Sequence, residues 1–268
     1  MKIVTYPSVY VLAKTAFRPS AFQVFANQYD LNATHPDSSD AEALSEVAGR
    51  LCYWSFDKPR PGGSAAYLDR IKGEKHGSVI EHASYSFLIT GVSRSLTHEL
   101  VRHRAGWAYS QLSQRYVDES DCAFVLPIEI RPEDDNGNST PEFREWKAGV
   151  QAAHERYCDM VDVLEQKFRG TDEPTREQRT ELRKRVRQTA RSVLPNCTET
   201  KIIATANCRA IRHFLEQRGS AGAEPEIRRL ANVILDIVKA DSPLIFGDYV
   251  TVPHSDSTKI IATNVGKV

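Results

Sequence analysis

The chain has 268 residues, enough for one large domain or two small ones, and 35 basic against 35 acidic side chains leave no global field that would gather nucleic acid. The N-terminal residues predict no signal peptide, and no stretch reaches the roughly 20 apolar residues of a membrane span. The five cysteines are widely spaced without a CxxC pair, which predicts reduced cysteines in a cytoplasmic protein and argues against a disulfide framework or a cysteine-rich zinc site.

The first predicted elements are two helices with a loop between them. Residues 40–55 are typical of a helix with Asp40 as its cap. Residues 57–64 are rich in proline and glycine and predict a loop. Residues 65–75 predict the second helix.

A strand and a third helix follow. Residues 83–91 alternate in polarity, which predicts a strand with one apolar face formed by Ala83, Tyr85, Phe87 and Ile89. Residues 93–104 contain no helix breaker and predict a helix capped by Ser93 or Ser95.

The second half of the chain is mostly helical. After a loop at 131–143, Thr140 and Pro141 are typical of a helix start, and the helix is expected to run to about Phe168. A strand is predicted at 198–207 and an irregular tail after 240; further helices are predicted at 174–193, 207–218 and 224–240. One α+β domain spanning 1–268 is therefore expected, with 131–141 as its only candidate boundary.

The stretch HELVRH at 98–103 invites comparison with zinc proteases. His98 and His103 are five residues apart, so their imidazoles diverge by about 140° around a helix and are not expected to share a metal. The sequence thus predicts no metal site. On the same helix Glu99 shares a polar face with Ser95 and Arg102, which fits a solvated Glu99–Arg102 pair or a functional site equally well.

Two later helices carry arginines with two possible interpretations. Lys184, Arg187 and Arg191 share one side of the helix at 174–193, either as a solvated face or as cations offered to a phosphate or dinucleotide of a neighbouring subunit. In the helix at 207–218, Asn207, Ile211, Phe214 and Arg218 share a face. A buried arginine needs an internal glutamate or a ligand such as a pyrimidine. The sequence holds no GxGxxG, Walker or GxSxG motif, so any flavin or nucleotide binds without a Rossmann unit.

Several segments in order resemble the flavin-dependent thymidylate synthases, and together they cover most of the chain. The signature is RHR followed by SQLSQRY, at 102–116. The other matching segments are LCYWSFDKPRPGGSAAYL (51–68), HGSVIEHASYSF (76–87), RSVLPNCTETKIIATANCRAIRHFLEQR (191–218) and EIRRL (226–230).

The resemblance implies an enzyme that methylates C5 of a uracil nucleotide. The carbon would come from methylenetetrahydrofolate and the hydride from FAD that NADPH has reduced, without a cysteine nucleophile. Cys197 indeed lacks the Pro-Cys-His context of the cysteine-dependent enzymes. The implied fold is α+β (mixed α/β), with a central antiparallel or mixed sheet flanked by helices, in a homotetramer with active sites between subunits.

Site residues follow from the resemblance by position. The FAD site would comprise Arg102, His103, Arg104 and the nearby His76, with Asn207, Arg209 and His213 from another subunit. The nucleotide site would comprise Glu99, Arg102, Ser113, Gln114, Arg115, Lys184, Arg191 and Arg218. Arg218, Arg102 and Ser113 would act in catalysis, with Arg218 polarising the pyrimidine.

The chain departs from the family inside the signature motif. Eight residues stand between Arg104 and Ser113, where the family has seven. We expect a bulge that Gly106 can accept, with Trp107 or Tyr109 redirected at the rim of the nucleotide or folate site. The extended motif resembles that of a family relative that methylates UMP in nucleoside-antibiotic biosynthesis, so UMP is expected as a substrate as well as dUMP. Two alternatives remain: a neutral bulge in an ordinary dUMP enzyme, or a homologue that binds flavin and nucleotide without methylating.

Overall fold

The computed structural model describes residues 1–31, 36–58, 61–169, 173–266 and 268. In these ranges the strands are β1 (Lys2–Val4), β2 (Ser8–Lys14), β3 (Ser84–Ser93), β4 (Trp107–Gln111), β5 (Ala123–Val125), β6 (Glu199–Asn207), β7 (Val250–Pro253) and β8 (Lys259–Ala262). The helices are α1 (Pro19–Gln28), α2 (Asp40–Tyr53), α3 (Gly63–Gly73), α4 (Arg94–Leu100), α5 (Pro141–Phe168), α6 (Arg176–Ala190), α7 (Cys208–Arg218), α8 (Pro225–Asp241) and α9 (Pro243–Phe246). Short 3-10 helices cover Gly77–Glu81 and Arg191–Val193. The predicted mixed α/β class is confirmed.

Three sheets are formed by these strands. β1 and β5 pair in parallel, with Ile3 opposite Phe124. β7 and β8 pair antiparallel, with Val252 opposite Ile260. The four-stranded sheet has the order β2–β3–β6–β4. Its strand β3 buries Tyr85, Phe87 and Ile89, as the alternation in the sequence predicted.

The described residues fall into two units that interleave along the chain. Unit 1 comprises Met1–Pro7, Thr90–His98 and Ser110–Ile202. Unit 2 comprises Ser8–Ile89, Glu99–Tyr109 and Ile203–Val268. The strands β3, β4 and β6 contribute residues to both units, so the division does not coincide with the loop at 131–141. A single catalytic domain over the whole chain stays a prediction.

Each unit has its own core. In unit 1 the helices α5 and α6 pack together, and Tyr157 of α5 and Val186 of α6 are fully buried. In unit 2 the helices α7 and α8 pack together, and Ile211, Phe214 and Ile234 are buried. Buried apolar residues of each helix are spaced three, four or seven apart and therefore lie on one face, which makes the contact. No helix of the described ranges combines the length and apolar composition needed to cross a membrane.

Several helix boundaries differ from the prediction. Ser39, and not Asp40, caps α2, because its backbone N–H donates to Glu42 three residues on in a capping box. The second helix begins at Gly63 and not at Ala65. Part of the loop predicted at 57–64 lies outside the described residues.

The helix predicted at 93–104 is shorter than expected. Ser93 is its cap, since its hydroxyl accepts from the N–H of Leu96 at 2.9 Å, but the helix ends at Leu100. The hydroxyl of Tyr109 lies 2.9 Å from the carbonyl oxygens of both Leu100 and His103 and satisfies groups that the helix end leaves open. The expectation that Arg102 shares a face of this helix with Ser95 and Glu99 is therefore wrong, because Arg102 follows the end of the helix.

The later elements also correct the prediction. The helix predicted to 193 changes to a 3-10 turn after Ala190. The buried residues of α6 are Val186 and Ala190, whereas Thr189 is exposed. The tail after 240, expected to be irregular, contains α9 and the β7–β8 hairpin.

Candidate active site

The side chain of Arg218, the last residue of α7, lies among groups of unit 2 that are distant in sequence. Its Nη1 donates to Oε2 of Glu99 at 2.5 Å, and its Nη2 lies 3.4 Å from the carbonyl oxygen of Glu99. Its Nε donates to Nε2 of His103 at 3.0 Å. The internal glutamate partner that the sequence left open is thus Glu99, and the predicted Glu99–Arg102 surface pair is replaced by Glu99–Arg218.

His103 is enclosed by rings. Its centroid lies 5.3 Å from that of Phe214, 5.9 Å from that of His213 and 6.4 Å from that of Trp107. Burial lowers the pKa of His103 to about 4, and the positive charges of Arg218 and His213 add to this effect against Glu99. The imidazole is therefore neutral near pH 7.

Two cavities open on this part of unit 2, with His213 and Ala105 in the lining of both. The first, of about 540 Å³, is lined by Arg102, His103, Arg104, Ala105, Trp107, His213, Gln217 and Arg218. The second, of about 450 Å³, is lined by Glu81, Ala105, Gly106, Asn207, Arg209, Ala210, Arg212, His213, Glu216 and Val268. Cavities of a few hundred Å³ with convergent polar groups are typical of small-molecule sites.

Apart from His76, the predicted flavin residues all line one or the other of these cavities. The resemblance placed Asn207, Arg209 and His213 on another subunit. Here His213 lines the same cavity as Arg102 and Arg104 of its own chain. Asn207 and Arg209 line the smaller cavity, and the contribution of a second subunit stays a prediction.

A tight turn within the signature motif precedes β4. The N–H of Trp107 donates to the carbonyl of Arg104 at 3.1 Å, and Gly106 has φ +74°. A Cβ on Gly106 would lie 2.7 Å from Nδ2 of Asn207, so both the conformation and the space require glycine. Gly106 thus has a backbone conformation that favours glycine, and β4 begins at the next residue, Trp107.

Trp107 and Tyr109 have different surroundings. Their rings stack at 5.6 Å with an interplanar angle of 8°. Trp107 lines the larger cavity. Tyr109 is held by the carbonyl contacts described above, and burial raises the pKa of its phenol. Trp107 can therefore meet a ligand, whereas the Tyr109 hydroxyl is engaged with the backbone.

Two other predicted flavin residues make structural contacts. Oδ1 of Asn207 accepts from the N–H of Ala210 at 2.8 Å and caps α7. Arg209 donates to Glu81 at 2.5 Å and to the carbonyl of Val268 at 2.9 Å. These contacts fix the start of α7 beside the smaller cavity.

His76 stands apart from these groups. Its ring is exposed, stacks on Tyr53 at 6.3 Å and has Nδ1 3.7 Å from Glu74. It is in the lining of neither cavity, although a Cβ on the next residue, Gly77, would lie 2.9 Å from Nε of Arg209.

The remaining predicted nucleotide residues belong to unit 1. Ser113, Gln114 and Arg115 form a turn after β4, in which the N–H of Tyr116 donates to the carbonyl of Ser113 at 3.0 Å. Gln114 is 5 % exposed. Within the described residues, its Nε2 and the Nε of Arg115 are buried without a hydrogen-bond partner, which is the condition of groups that await a polar ligand.

The other predicted nucleotide residues of unit 1 are the basic side chains Arg191 and Lys184. A third basic residue, Arg94, was not predicted from the sequence. Arg191 is exposed in the 3-10 turn, and Lys184 pairs with Glu181 at 3.2 Å. Burial lowers the pKa of Arg94, and the nearby charge of Arg191 lowers it further, against Glu119. Arg94 follows the cap Ser93 directly. Its only signal in the sequence was an arginine where a strand turns into a helix.

Arg187 was expected on the same basic face as Lys184 and Arg191. It donates to the carbonyl of Tyr116 at 2.5 Å and to Asp118 at 3.0 Å. It therefore supports the turn that carries Ser113. Among the described residues no cluster of histidine, cysteine and carboxylate side chains could hold a metal ion.

The comparisons with known proteins identify the family of the chain. Residues 35–244 match the family model described as thymidylate synthase complementing protein, Thy1. A flavin-dependent thymidylate synthase of Mycobacterium sp. (strain KMS) is 45 % identical over 258 residues, which are 94 % of this chain and 98 % of that protein. The chain belongs to the flavin-dependent thymidylate synthase family. The prediction of a flavin-dependent enzyme that methylates a uracil nucleotide is thereby confirmed.

A second relative and a solved structure are also similar to this family member. The flavin-dependent thymidylate synthase of Mycobacterium tuberculosis (strain ATCC 25177 / H37Ra) is 45 % identical over 226 residues, which are 84 % of this chain and 86 % of that protein. Among solved structures, the UMP/dUMP methylase PolB from Streptomyces cacaoi, crystallised with 5-Br dUMP, has a TM-score of 0.63 and 22 % identity. That likeness covers 92 % of this chain and 96 % of PolB, and it concerns the fold.

Proposed function

We propose that this enzyme transfers one carbon from methylenetetrahydrofolate to C5 of a uracil nucleotide, with FAD as its flavin and NADPH as the reductant. The observation that carries the proposal is the larger cavity of unit 2. This cavity is lined by Arg102, His103 and Arg104, for which the family resemblance implies flavin binding. The same cavity is lined by Arg218, for which the resemblance implies a contact with the base.

The residues present fit a flavin dinucleotide. Arg102 and Arg104 supply cations suited to a diphosphate. Arg212, 1 % exposed, lines the smaller cavity, and its Nε is buried with no hydrogen-bond partner among the described residues. FAD, when bound, would supply the hydride. The protein's contribution is to bind the flavin, orient it and exclude water.

Arg218 is suited to polarise the pyrimidine. Its guanidinium is held by Glu99 and is 23 % exposed at the side chain, so it can donate to a ligand oxygen without first being ordered. Arg102 and Ser113 are the other groups proposed for catalysis. For the nucleotide phosphate we propose Arg115, Arg191 and Lys184, with Gln114 beside them, and we add Arg94.

No cysteine is proposed as a nucleophile. Cys208 is fully buried in unit 2, and burial raises the pKa of its thiol far above the ordinary value. A buried, protonated thiol is a poor nucleophile. Electrostatic polarisation by Arg218 would replace covalent activation.

The decisive experiment uses the full chain with FAD, NADPH and methylenetetrahydrofolate, and offers UMP and dUMP in separate reactions. Chromatography would detect the 5-methyl product of each. We expect product from both nucleotides. Oxidation of NADPH without any methylated nucleotide would instead support a homologue that binds flavin and nucleotide but does not methylate.

The tight turn before β4 makes the sugar preference testable. Deletion of one residue between Arg104 and Ser113 restores the family's seven-residue spacing. Ala105 is the residue to delete, because it lies in the turn and lines both cavities. We expect the deletion to reduce turnover of UMP far more than turnover of dUMP, with Ala105→Gly as the matched control. Product from dUMP alone in the unmodified enzyme would make the extra residue a neutral insertion.

We further propose one catalytic domain spanning 1–268, assembled as a homotetramer in the cytoplasm. The cysteine pattern supports the reducing location, and the family resemblance supports the tetramer. Sedimentation equilibrium would test the assembly, and a monomer that binds FAD and turns over would refute the need for it.

A further inference from the structure

The contacts of Arg218 determine the protonation of a neighbouring side chain. Its Nε lies 3.0 Å from Nε2 of His103, and its Nη1 lies 2.5 Å from the carboxylate of Glu99. A guanidinium has only donors, so Nε2 of His103 must be the acceptor in this hydrogen bond. An imidazole nitrogen that accepts carries no proton.

The state of the His103 ring follows from that acceptor. With Nε2 bare, His103 is neutral and carries its single proton on Nδ1. A protonated imidazolium would have no acceptor and would place two cations against each other. The surroundings agree, since the other titratable and charged groups that face His103 are His213 and Glu99, beside the Phe214 and Trp107 rings.

One further contact holds the ring of His103, and another holds its backbone. The edge of Phe214 packs against it at 5.3 Å with an interplanar angle of 75°. The hydroxyl of Tyr109 lies 2.9 Å from the carbonyl oxygen of His103. A rotation of the imidazole would have to break the Arg218 contact and displace Phe214, which is fully buried.

Nδ1 is the second nitrogen of the His103 ring, and Arg218 does not contact it. It makes no hydrogen bond within the part of the chain that the structure describes, and His103 lines the larger cavity. A donor with no protein acceptor beside a ligand cavity is suited to an acceptor atom of the ligand. The carbonyl oxygens and unprotonated nitrogens of a flavin ring are such acceptors.

We propose that Glu99 and Arg218 are positioning residues that fix His103 as an Nδ1–H donor to the flavin ring and so couple nucleotide binding to flavin binding. This inference rests on the proposed function, because it takes the flavin as the ligand of this cavity. A nucleotide that draws Arg218 towards its own oxygens changes the hydrogen bond to Nε2. Flavin affinity then depends on the nucleotide, and by linkage nucleotide affinity depends equally on the flavin.

The first test observes the tautomer on the full chain free of flavin. Solid-state NMR of protein labelled with 15N-histidine distinguishes protonated from bare ring nitrogens, and His103→Asn assigns the signal. We expect Nδ1 protonated and Nε2 bare at pH 7. In Arg218→Met, which lacks the donor, we expect a proton on Nε2. A wild-type His103 with its proton on Nε2, or on both nitrogens, would overturn the inference.

The second test measures coupling. FAD affinity is determined by fluorescence with and without dUMP in wild type, Glu99→Gln and Arg218→Met. We expect dUMP to change the wild-type dissociation constant at least fivefold and the variants' by less than twofold. A coupling of the same size in all three would contradict the role of Glu99 and Arg218.

A matched control separates this effect from general loss of an ion pair. Arg50 pairs with Glu46 at 2.6 Å in the same unit, and its side chain is 13 % exposed. In Arg50→Met we expect the wild-type tautomer and the wild-type coupling. If Arg218→Met does not fold, the tautomer of His103 in wild type and the coupling measured in Glu99→Gln still test the inference. Failure to form a methylated nucleotide with the expected tautomer intact would refute the proposed function alone.

Discussion

Asp248 and Arg212 form a buried ion pair beneath the smaller cavity, and the substitution Asp248→Asn probes it. Nη1 and Nη2 of Arg212 donate to the two carboxylate oxygens of Asp248 at 2.7 and 2.8 Å. Nζ of Lys72 lies 3.3 Å away and the hydroxyl of Thr263 donates at 2.6 Å. The side chains of Arg212 and Asp248 are 1 % and 7 % exposed. An asparagine keeps the shape but removes the carboxylate charge that faces Arg212 and Lys72.

The expected loss is large because the arginine stays buried. Removal of one partner of a buried pair costs about 3–5 kcal/mol. For a chain of this size such a change lowers the melting temperature by roughly 6 to 20 °C. Differential scanning calorimetry of the two proteins at pH 7 measures it.

Asp159→Asn is the matched control for this measurement. Asp159 pairs with Arg156 at 3.0 Å, but the two side chains are 62 % and 76 % exposed. A pair in that position contributes about 0–1 kcal/mol, so the melting temperature should hardly move. If Asp248→Asn melted within about 2 °C of wild type, as the control should, the reasoning about the buried pair would be wrong.

The same pair makes stability depend on pH. Burial alone would raise the pKa of Asp248, but the hydrogen bonds and charge of Arg212, with Thr263 and Lys72, hold it well below its usual range. A depressed folded pKa gives stability that is present above the unfolded value of about 3.9 and is lost as the pH falls below it. The difference in melting temperature between wild type and Asp248→Asn should therefore shrink below about pH 4. A constant difference down to pH 3 would refute this assignment.

Three further substitutions test the proposed site. Arg191→Ala should raise the KM for the nucleotide roughly 10- to 100-fold with little change in kcat, since a charged hydrogen bond to phosphate is worth about 1.5–3 kcal/mol; a fall in kcat at unchanged KM would argue against a phosphate contact. Gly106→Ala should weaken FAD binding, because φ is +74° and the new Cβ would lie 2.7 Å from Asn207, whereas Gly149→Ala, with nothing within 4 Å of its Cβ, should bind FAD normally. Cys197→Ala should retain methylation within a few-fold in the product assay, and its complete loss would reinstate a cysteine nucleophile.

Local patterns predicted several elements of the fold. The alternation of 83–91 predicted β3 and its buried face, and the Thr140–Pro141 start predicted α5, where Thr140 accepts from Phe143. The end of α4 could not be predicted. It depends on Tyr109, whose hydroxyl engages carbonyls that a continuing helix would have used itself.

Side-chain partners across long separations were equally out of reach. The sequence left Arg218 with either a glutamate or a ligand, and the partners in the structure are 119 and 115 residues away. The sequence did not indicate that Arg212 is buried, because an arginine next to His213, on a helix face with both polar and apolar residues, has the same pattern as a solvent-exposed arginine. Arg94 was missed for the same reason.

The sequence by itself determined the family, the reaction class and most helices and strands, because ordered motifs and short-range periodicity are properties of neighbouring residues. Only the tertiary structure decided that Glu99 pairs with Arg218, that His103 accepts from Arg218, and that Gly106 lies in a tight turn before β4. These facts depend on which groups burial brings within hydrogen-bond distance. Burial also excludes the water that would otherwise form hydrogen bonds with these polar groups, and this exclusion cannot be predicted from a local sequence pattern.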